Sequence, residues 1–365
     1  MQPGNMENGH TTEQLISAPQ QETDKGWLPN IKWSISDSYK HKLNGGLLRL
    51  VTTRELPVAT ELAGVITALV PGAIREPHWH LENEWGYIIK GSARITIVDQ
   101  DLKTCQDDVC EGEGWLFPTG IPHSIQALGD GCEFLLVFDN GNMSEENIFN
   151  LSDWLSRTPK DVLCKNFGVA DGFFDGIPAS SRGVFEAAVP GPLEDDKVPG
   201  LGPLPQHMTY HKKDFRTSVT EFGKVHILDA CTFPVTTIAA AVIEIEPGGL
   251  RVLHWHPDTD EWQYYLSGTG RMTVFAAPGK AQTVAFKAGD IGYIKKGQPH
   301  YIENTGTEVL RVVETFNGPR FRDIPLAQWL KYTPHQLSAA TLKIDEKEMG
   351  SALENVPPGK TPIVG

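Results

Sequence analysis

Eight residues of this chain have the types and spacing of metal ligands, in two sets of four: His78, His80, Glu84 and His123, then His254, His256, Glu261 and His300. A histidine pair separated by one residue on an extended strand points both imidazoles to the same face, because side-chain direction repeats every two residues. A glutamate shortly after the pair and a third histidine further on complete three nitrogens and one carboxylate. On an octahedral ion that set leaves two adjacent positions open, as redox or Lewis-acid chemistry on a small bound molecule needs. A structural zinc site closes at four ligands. The residues name no single ion, since affinity in any N/O site runs toward copper and zinc.

The two sets are copies. His78 and His254 lie 176 positions apart, as do Gly72 and Gly248, while Glu84 and Glu261, Gly91 and Gly268, and His123 and His300 lie 177 apart. One residue was therefore inserted between the histidine pair and the glutamate. Trp154 and Trp329, 175 apart, extend the register to residues with no ligand role. A repeat this long means two domains of one fold and not a solenoid. A lone histidine is ordinarily a satisfied core or surface residue; two complete sets in register are not. Arg75 and Arg251 each stand three residues before the first histidine of their set, which places a guanidinium beside each pocket. In a dry site such a planar fork binds a carboxylate bidentately.

Length and charge agree. At 365 residues the chain exceeds a usual single domain, and 40% hydrophobic residues supply two cores. With 46 Asp+Glu against 32 Lys+Arg the formal charge is −14, which argues against nucleic acid or an anionic membrane as partner. An anionic substrate has to be recruited locally, by arginine. Residues 1–26 are polar and hold no apolar run of the signal-peptide kind, so a cytoplasmic location is expected. The five cysteines are scattered without a Cys-x-x-Cys pair, which favours reduced, structural thiols.

The elements that must position the ligands read as short strands. Runs at 64–70, 85–90, 93–98, 114–117, 123–127 and 133–138 are β-branched or aromatic, with Gly91-Ser92, Pro118-Thr119-Gly120 and Gly129-Asp130-Gly131 as turns. The second half repeats this at 237–245, 262–266, 271–275, 293–295, 301–304 and 309–316. Short helices are expected at 151–157, with Ser152 as N-cap, and at 326–332. The expectation is an all-β chain of two tandem jelly rolls with short helices. Its parts are an N-terminal arm (1–26), a first domain (27–189), a Pro/Gly-rich linker (190–206), a second domain (207–345) and a C-terminal tail (346–365).

These residues resemble the cupin motifs. Gly72, His78, His80, Glu84 and Gly91 match the first motif, and Gly112, Pro118, Gly120 and His123 the second; the other half matches through Gly248, His254, His256, Glu261, Gly268, Gly289, Gly297, His300 and Asn304. Ala127 and Lys295 depart from the second motif at positions that are not ligands. Within the superfamily the chain is most similar to the bicupin oxalate decarboxylases, from about Asn30 to Lys343. The specific segments are Arg-Glu-Leu-Pro at 54–57, Pro-Gly-Ala-Ile-Arg-Glu at 71–76, Gly-Ser-Ala-Arg-Ile-Thr-Ile-Val-Asp at 91–99, His-Ser-Ile-Gln-Ala-Leu at 123–128 and Glu-Trp-Gln-Tyr-Tyr at 261–265.

The resemblance implies a double-stranded β-helix fold in each domain, two manganese ions per chain with iron as runner-up, and dioxygen as co-catalyst. It further implies oxalate as substrate and a homo-oligomer, trimer or hexamer. Ser144 and Glu145, in what composition alone makes a polar loop, match the family's mobile lid, whose glutamate donates a proton; Arg75 holds the substrate. Glu146, Asn147 and Ile148 depart from the commonest lid pattern. Glu314 matches the acid of the second site, with pairing to Arg251 the other reading. Trp79 and Trp255 point away from the metal face, either as ordinary packing or, as in related bicupins, against each other between subunits. Three alternatives stay open: an oxalate oxidase releasing hydrogen peroxide, a bicupin acting on another small carboxylate or secondary metabolite, and a metal-binding storage protein.

Overall fold

The computed structural model describes residues 21–198, 204 and 206–365. Most of the expected arm, and the linker residues 199–203 and 205, lie outside that range. Among the described residues the strands form an 11-stranded sheet in the first half and a 7-stranded and a 6-stranded sheet in the second. No helix among them is long and apolar enough to cross a membrane.

The strands differ from expectation in continuity. The runs at 85–90 and 93–98 are one strand, Glu84–Val98, and those at 123–127 and 133–138 are another, His123–Phe138. Gly91 is therefore not a hairpin turn. It holds φ at +78°, the register shifts on either side of it, and a Cβ there would lie 2.1 Å from the Gly131 carbonyl oxygen. Such a bulge bends a strand around a corner of the barrel without ending it. In the second half the same corners break the strands into Glu261–Ser267 and Thr269–Ala276, then His300–Asn304 and Leu310–Phe316, which separates the two sheets. The helices form at Leu151–Ser156 and Leu326–Lys331. Ser152 is not the N-cap: that residue is Asn150, and the Ser152 hydroxyl donates to both oxygens of buried Glu76.

Sheet membership does not follow the expected domain boundaries. Lys32–Ser34, expected in the first domain, pairs antiparallel with Asp290–Ile294 of the second. Thr209–Tyr210, expected in the second, pairs with Gly114–Phe117 of the first. Gly114–Phe117 and Asp290–Ile294 are equivalent strands, each of which would otherwise end its sheet with unpaired backbone groups. Each half covers the other's open edge. Residues 346–365 are likewise no free tail: Glu346–Glu354 is a helix, and Ile363–Val364 pairs with the ligand strand Leu250–Trp255.

Three cores result. One fills the first barrel around Ile95, Trp115 and Phe134, and one the second around Ile243, Met272 and Phe316. The third lies between the halves, built from Trp85, Tyr87, Leu135, Trp262, Tyr264 and Val313. Strand alternation explains the division: Glu84, Gly86 and Ile88 face into the first barrel while Trp85 and Tyr87 face the second half. Gly64 permits the closest approach, since a Cβ there would lie 2.2 Å from the Trp262 ring.

Candidate functional site

Both ligand sets assemble. In each, one ligand atom per residue lies within 4.8 Å of all the others, and all eight residues are buried. The strand Ile74–Trp79 carries His78 and leads into His80, while Glu84 and His123 are the first residues of the two long strands. The second set sits at the same places on Leu250–Trp255, Glu261–Ser267 and His300–Asn304.

Second contacts fix which nitrogen is free. In the first set Nδ1 of His78, His80 and His123 lies 2.7, 2.8 and 2.8 Å from the carbonyls of Glu76, Glu82 and Ile121. A carbonyl only accepts, so each Nδ1 carries a proton, and in the neutral ring Nε2 presents a lone pair inward. Burial lowers the His80 ring, but Glu84, whose Oε2 lies 3.3 Å from its Nε2, raises it above the ordinary value, so without an ion this ring favours a second proton. Nε2 of His78 and of His123 then face each other at 3.2 Å, two acceptors that a cation between them would reconcile. In the second set Nδ1 of His254, His256 and His300 meets the carbonyls of Val252, Arg322 and Gln298. Their Nε2 atoms and Glu261 Oε2 are buried without a donor, although Glu261 Oε2 stands 3.0 Å from Nε2 of both His256 and His300. Orphaned acceptors converging from four residues are the donor set of a metal ion.

The electrostatics agree. Burial, then His123 and Arg75, push His78 far below its ordinary value, and burial takes His123 down to about 3, so both are neutral ligands. Burial opposes ionisation of Glu84, yet His80, His123 and the Trp115 N–H together hold its carboxyl below the usual range.

Above the first set, Arg75 reaches Glu145, whose Oε2 accepts from the guanidinium at 2.9 Å. Glu145 opens a short 3-10 turn, Glu145–Asn147, capped by the Ser144 hydroxyl, which accepts from the Glu146 N–H. Thr67, Ile125, Phe134, Leu136 and Ile148 complete the walls, and the room left is about 10 Å³, about one water. Glu145 thus fills the space above the first set. A roomier cavity of about 770 Å³, lined by Asp107, His211 and Phe233, touches none of the ligands.

The second site differs. Arg251 is fully buried, but its guanidinium donates to Asp323 at 2.8 Å and to the Pro362 carbonyl at 3.4 Å. Lys360 holds the other Asp323 oxygen. Asp323, not Glu314, is therefore the ion-pair partner of Arg251. Glu314 is buried with both oxygens unpartnered; burial and the neighbouring Glu261 push its carboxyl far up, so it stays protonated. Sequence reading missed Asp323 and Lys360, which lie in segments with no repeat signal. It also missed Trp115 and Gln263, which the 177-residue register does expose by pairing Trp115 with Gly292 and Gly86 with Gln263.

Trp79 and Trp255 point outward as expected. Trp79 stacks on Phe149 with centroids 5.5 Å apart and meets Trp154 edge-on, while Trp255 meets Trp329 edge-on.

The cupin family pattern matches the chain twice, at residues 36–172 and 211–350. The chain is 47% identical to oxalate decarboxylase OxdC of Bacillus subtilis over 344 residues, covering 94% of this chain and 89% of that one. It is 38% identical to a probable oxalate decarboxylase of Arthroderma benhamiae, covering 88% and 81%. The fold superposes on the Bacillus subtilis oxalate decarboxylase structure at pH 4.6 with a TM-score of 0.90, covering 94% of this chain and 89% of that one. A further structure of the Bacillus protein concerns its Mn(II) centres.

Proposed function

Because the chain belongs to the bicupin oxalate decarboxylases, we propose that it splits oxalate into formate and carbon dioxide at the first of its two ligand sets. The observation that carries this is the meeting of Arg75 and Glu145 over the first set, while Arg251 at the second is already committed to Asp323. His78, His80, Glu84 and His123 would hold one manganese, and His254, His256, Glu261 and His300 the other, with iron the alternative ion. Manganese held there, with dioxygen as co-catalyst, would supply reversible one-electron redox chemistry toward oxalate.

The chain's own groups do the rest. An entering oxalate competes with Glu145 for the Arg75 fork, which binds a carboxylate bidentately. Released from Arg75, Glu145 is free to carry a proton. Loss of carbon dioxide breaks the C–C bond, and the carbon left behind takes that proton. Oxalate dianion plus one proton gives formate and carbon dioxide, so the net reaction consumes no oxidant. Glu145 regains its proton from solvent when the loop opens. Ile125, Phe134 and Leu136 keep water from the intermediate while the loop is shut.

The oxidase reading rests on the same pocket with Glu145 failing to deliver its proton in time, and the unusual Glu146-Asn147-Ile148 makes it the rival to test. Oxalate supplied under air, with formate and peroxide both measured, is expected to give formate and carbon dioxide in equal amounts with only a trace of peroxide. Peroxide matching the oxalate consumed would instead identify an oxidase.

We also propose a homo-oligomer, trimer or hexamer, joined through the helical faces that carry exposed Phe149, Trp154, Phe167 and Phe173 on one half and Trp329, Tyr332 and Leu337 on the other. Patches of this kind mark protein interfaces.

A further inference from the structure

Each ligand carboxylate keeps one oxygen for the metal set and gives the other to a neutral donor, but the two donors come from different strands. Glu84 Oε1 accepts from the Trp115 indole N–H at 2.9 Å. Glu261 Oε1 accepts from the Gln263 amide at 2.6 Å. In the repeat register Gly86 is the counterpart of Gln263 and Trp115 the counterpart of Gly292. The two members of each pair face each other directly across neighbouring strands, Gly86 with Trp115 and Gln263 with Gly292.

The pairing is steric as well as chemical. A Cβ on Gly86 would sit 2.1 Å from the Trp115 ring, and one on Gly292 would sit 2.6 Å from the Gln263 side-chain oxygen. Each site therefore has room for one donor, and glycine must stand wherever the donor does not. The exchange also sets the surroundings. Trp115 packs among Phe117 and Phe134, which makes the surroundings of the outer Glu84 oxygen apolar. Gln263 accepts from the Tyr265 hydroxyl at 3.0 Å beside Glu314, which makes those of the outer Glu261 oxygen polar; the counterparts of Tyr265 and Glu314 are Ile88 and Leu136.

We propose that Trp115 and Gln263 are the positioning residues of Glu84 and Glu261, and that their reciprocal exchange with glycine tunes the two metals separately. The inference rests on the metal reading above. An outer hydrogen bond orients a ligand carboxylate and raises metal affinity, and its loss typically costs about 10- to 100-fold.

The test is a chelator series on manganese-loaded full-length protein, counting bound ions per chain and recording the Mn(II) EPR zero-field splitting. Trp115→Phe keeps the ring and removes only the donor. It is expected to release one of two ions at about 10-fold or more lower chelator and to alter one EPR signal. Gln263→Met is expected to affect the other ion and the other signal. The double exchange Gly86→Gln with Trp115→Gly is expected to bring the first ion back to within about threefold of wild type, whereas Trp115→Gly alone is not. Unchanged affinity in Trp115→Phe, or equal weakening of both ions, overturns the proposal whatever the double exchange does. Wild-type protein that binds no ion overturns the metal reading instead.

Discussion

At the scale of single residues, the backbone settles what each ligand can do before any ion arrives: six Nδ1–H groups are spent on carbonyls, so six Nε2 atoms point inward. Reactivity then depends on who shares the pocket. Glu145→Gln keeps shape and hydrogen bonding but removes the acid. Formate production is expected to fall about 100-fold or more, the range of a lost general acid, while oxalate still binds and residual turnover shifts toward peroxide. Glu146 is exposed and is the control; Glu146→Gln is expected to stay near wild type. Formate and peroxide assays on both variants check this, and the reverse pattern would place the donor one residue on. Arg75→Lys is expected to cost about 10- to 100-fold in kcat/KM, the worth of a charged hydrogen bond. Arg251→Lys is expected to act mainly on stability, because Arg251 holds Asp323. The two candidate ligand sets were legible because the fold's motif is local in sequence. The partner of Arg251 was not, since Asp323 lies 72 residues away and only the folded chain joins them.

At the scale of elements, the C-terminal strap repeats a device of the first half. There Val184–Phe185 pairs with the ligand strand at Arg75 and Ile74; here Ile363–Val364 pairs at Arg251 and Leu250. The difference lies in charge, since only the second strap brings Lys360 onto Asp323. Burial would raise the Asp323 carboxyl, but Arg251 and then Lys360 hold it at about 2, against 3.8 for a free aspartate. A depressed pKa stabilises the folded state above the unfolded value, and that stabilisation is lost as pH falls from about 4 through about 2. Asp323→Asn strands a buried guanidinium and is expected to cost about 3–5 kcal/mol at pH 7. The variant should also lose less stability than wild type between pH 4 and pH 2. Urea unfolding midpoints at the two ends of that range check both statements; parallel losses would show that Asp323 does not govern the acid limb. Composition revealed most strands but not where they join. Gly91-Ser92 reads as a turn, and only the Gly131 backbone pressed against Gly91 shows why the strand runs on. Lys280–Lys287, a polar edge strand, and the helices Lys160–Phe167 and His335–Leu342 carry too little apolar periodicity to be seen.

At the scale of the whole molecule, the repeat tells of two domains, and the structure interlocks them through crossed strands. Lys32–Ser34 and Thr209–Tyr210 are too short to register as strands by any sequence pattern, yet they cross between the halves in opposite directions. Tyr210 adds a side-chain anchor, its buried hydroxyl donating to the Gly86 carbonyl at 2.7 Å, inside the strand that carries Glu84. The core between the halves contains Trp85, Trp262 and Tyr293, all fully buried. Separating the halves would expose that core together with two unpaired sheet edges, which is the composition of an aggregation surface. Fragments 1–206 and 207–365 expressed alone are therefore expected to be insoluble or molten. Co-expressed, they are expected to reassemble, because each supplies the strand the other lacks. The intact chain should correspondingly unfold in a single calorimetric transition. Two well-separated transitions, or a soluble fragment 207–365 with native near-UV dichroism, would show that the crossed strands decorate two independent domains. Loss of Thr209–Tyr210 from its place should also be felt at the first site: Tyr210→Phe, which removes only the hydroxyl, is expected to destabilise by about 1–3 kcal/mol, the cost of a buried group left unsatisfied. Its effect on the ion held by Glu84 should exceed its effect on the ion held by Glu261, because the freed carbonyl belongs to Gly86, two residues along the strand from Glu84.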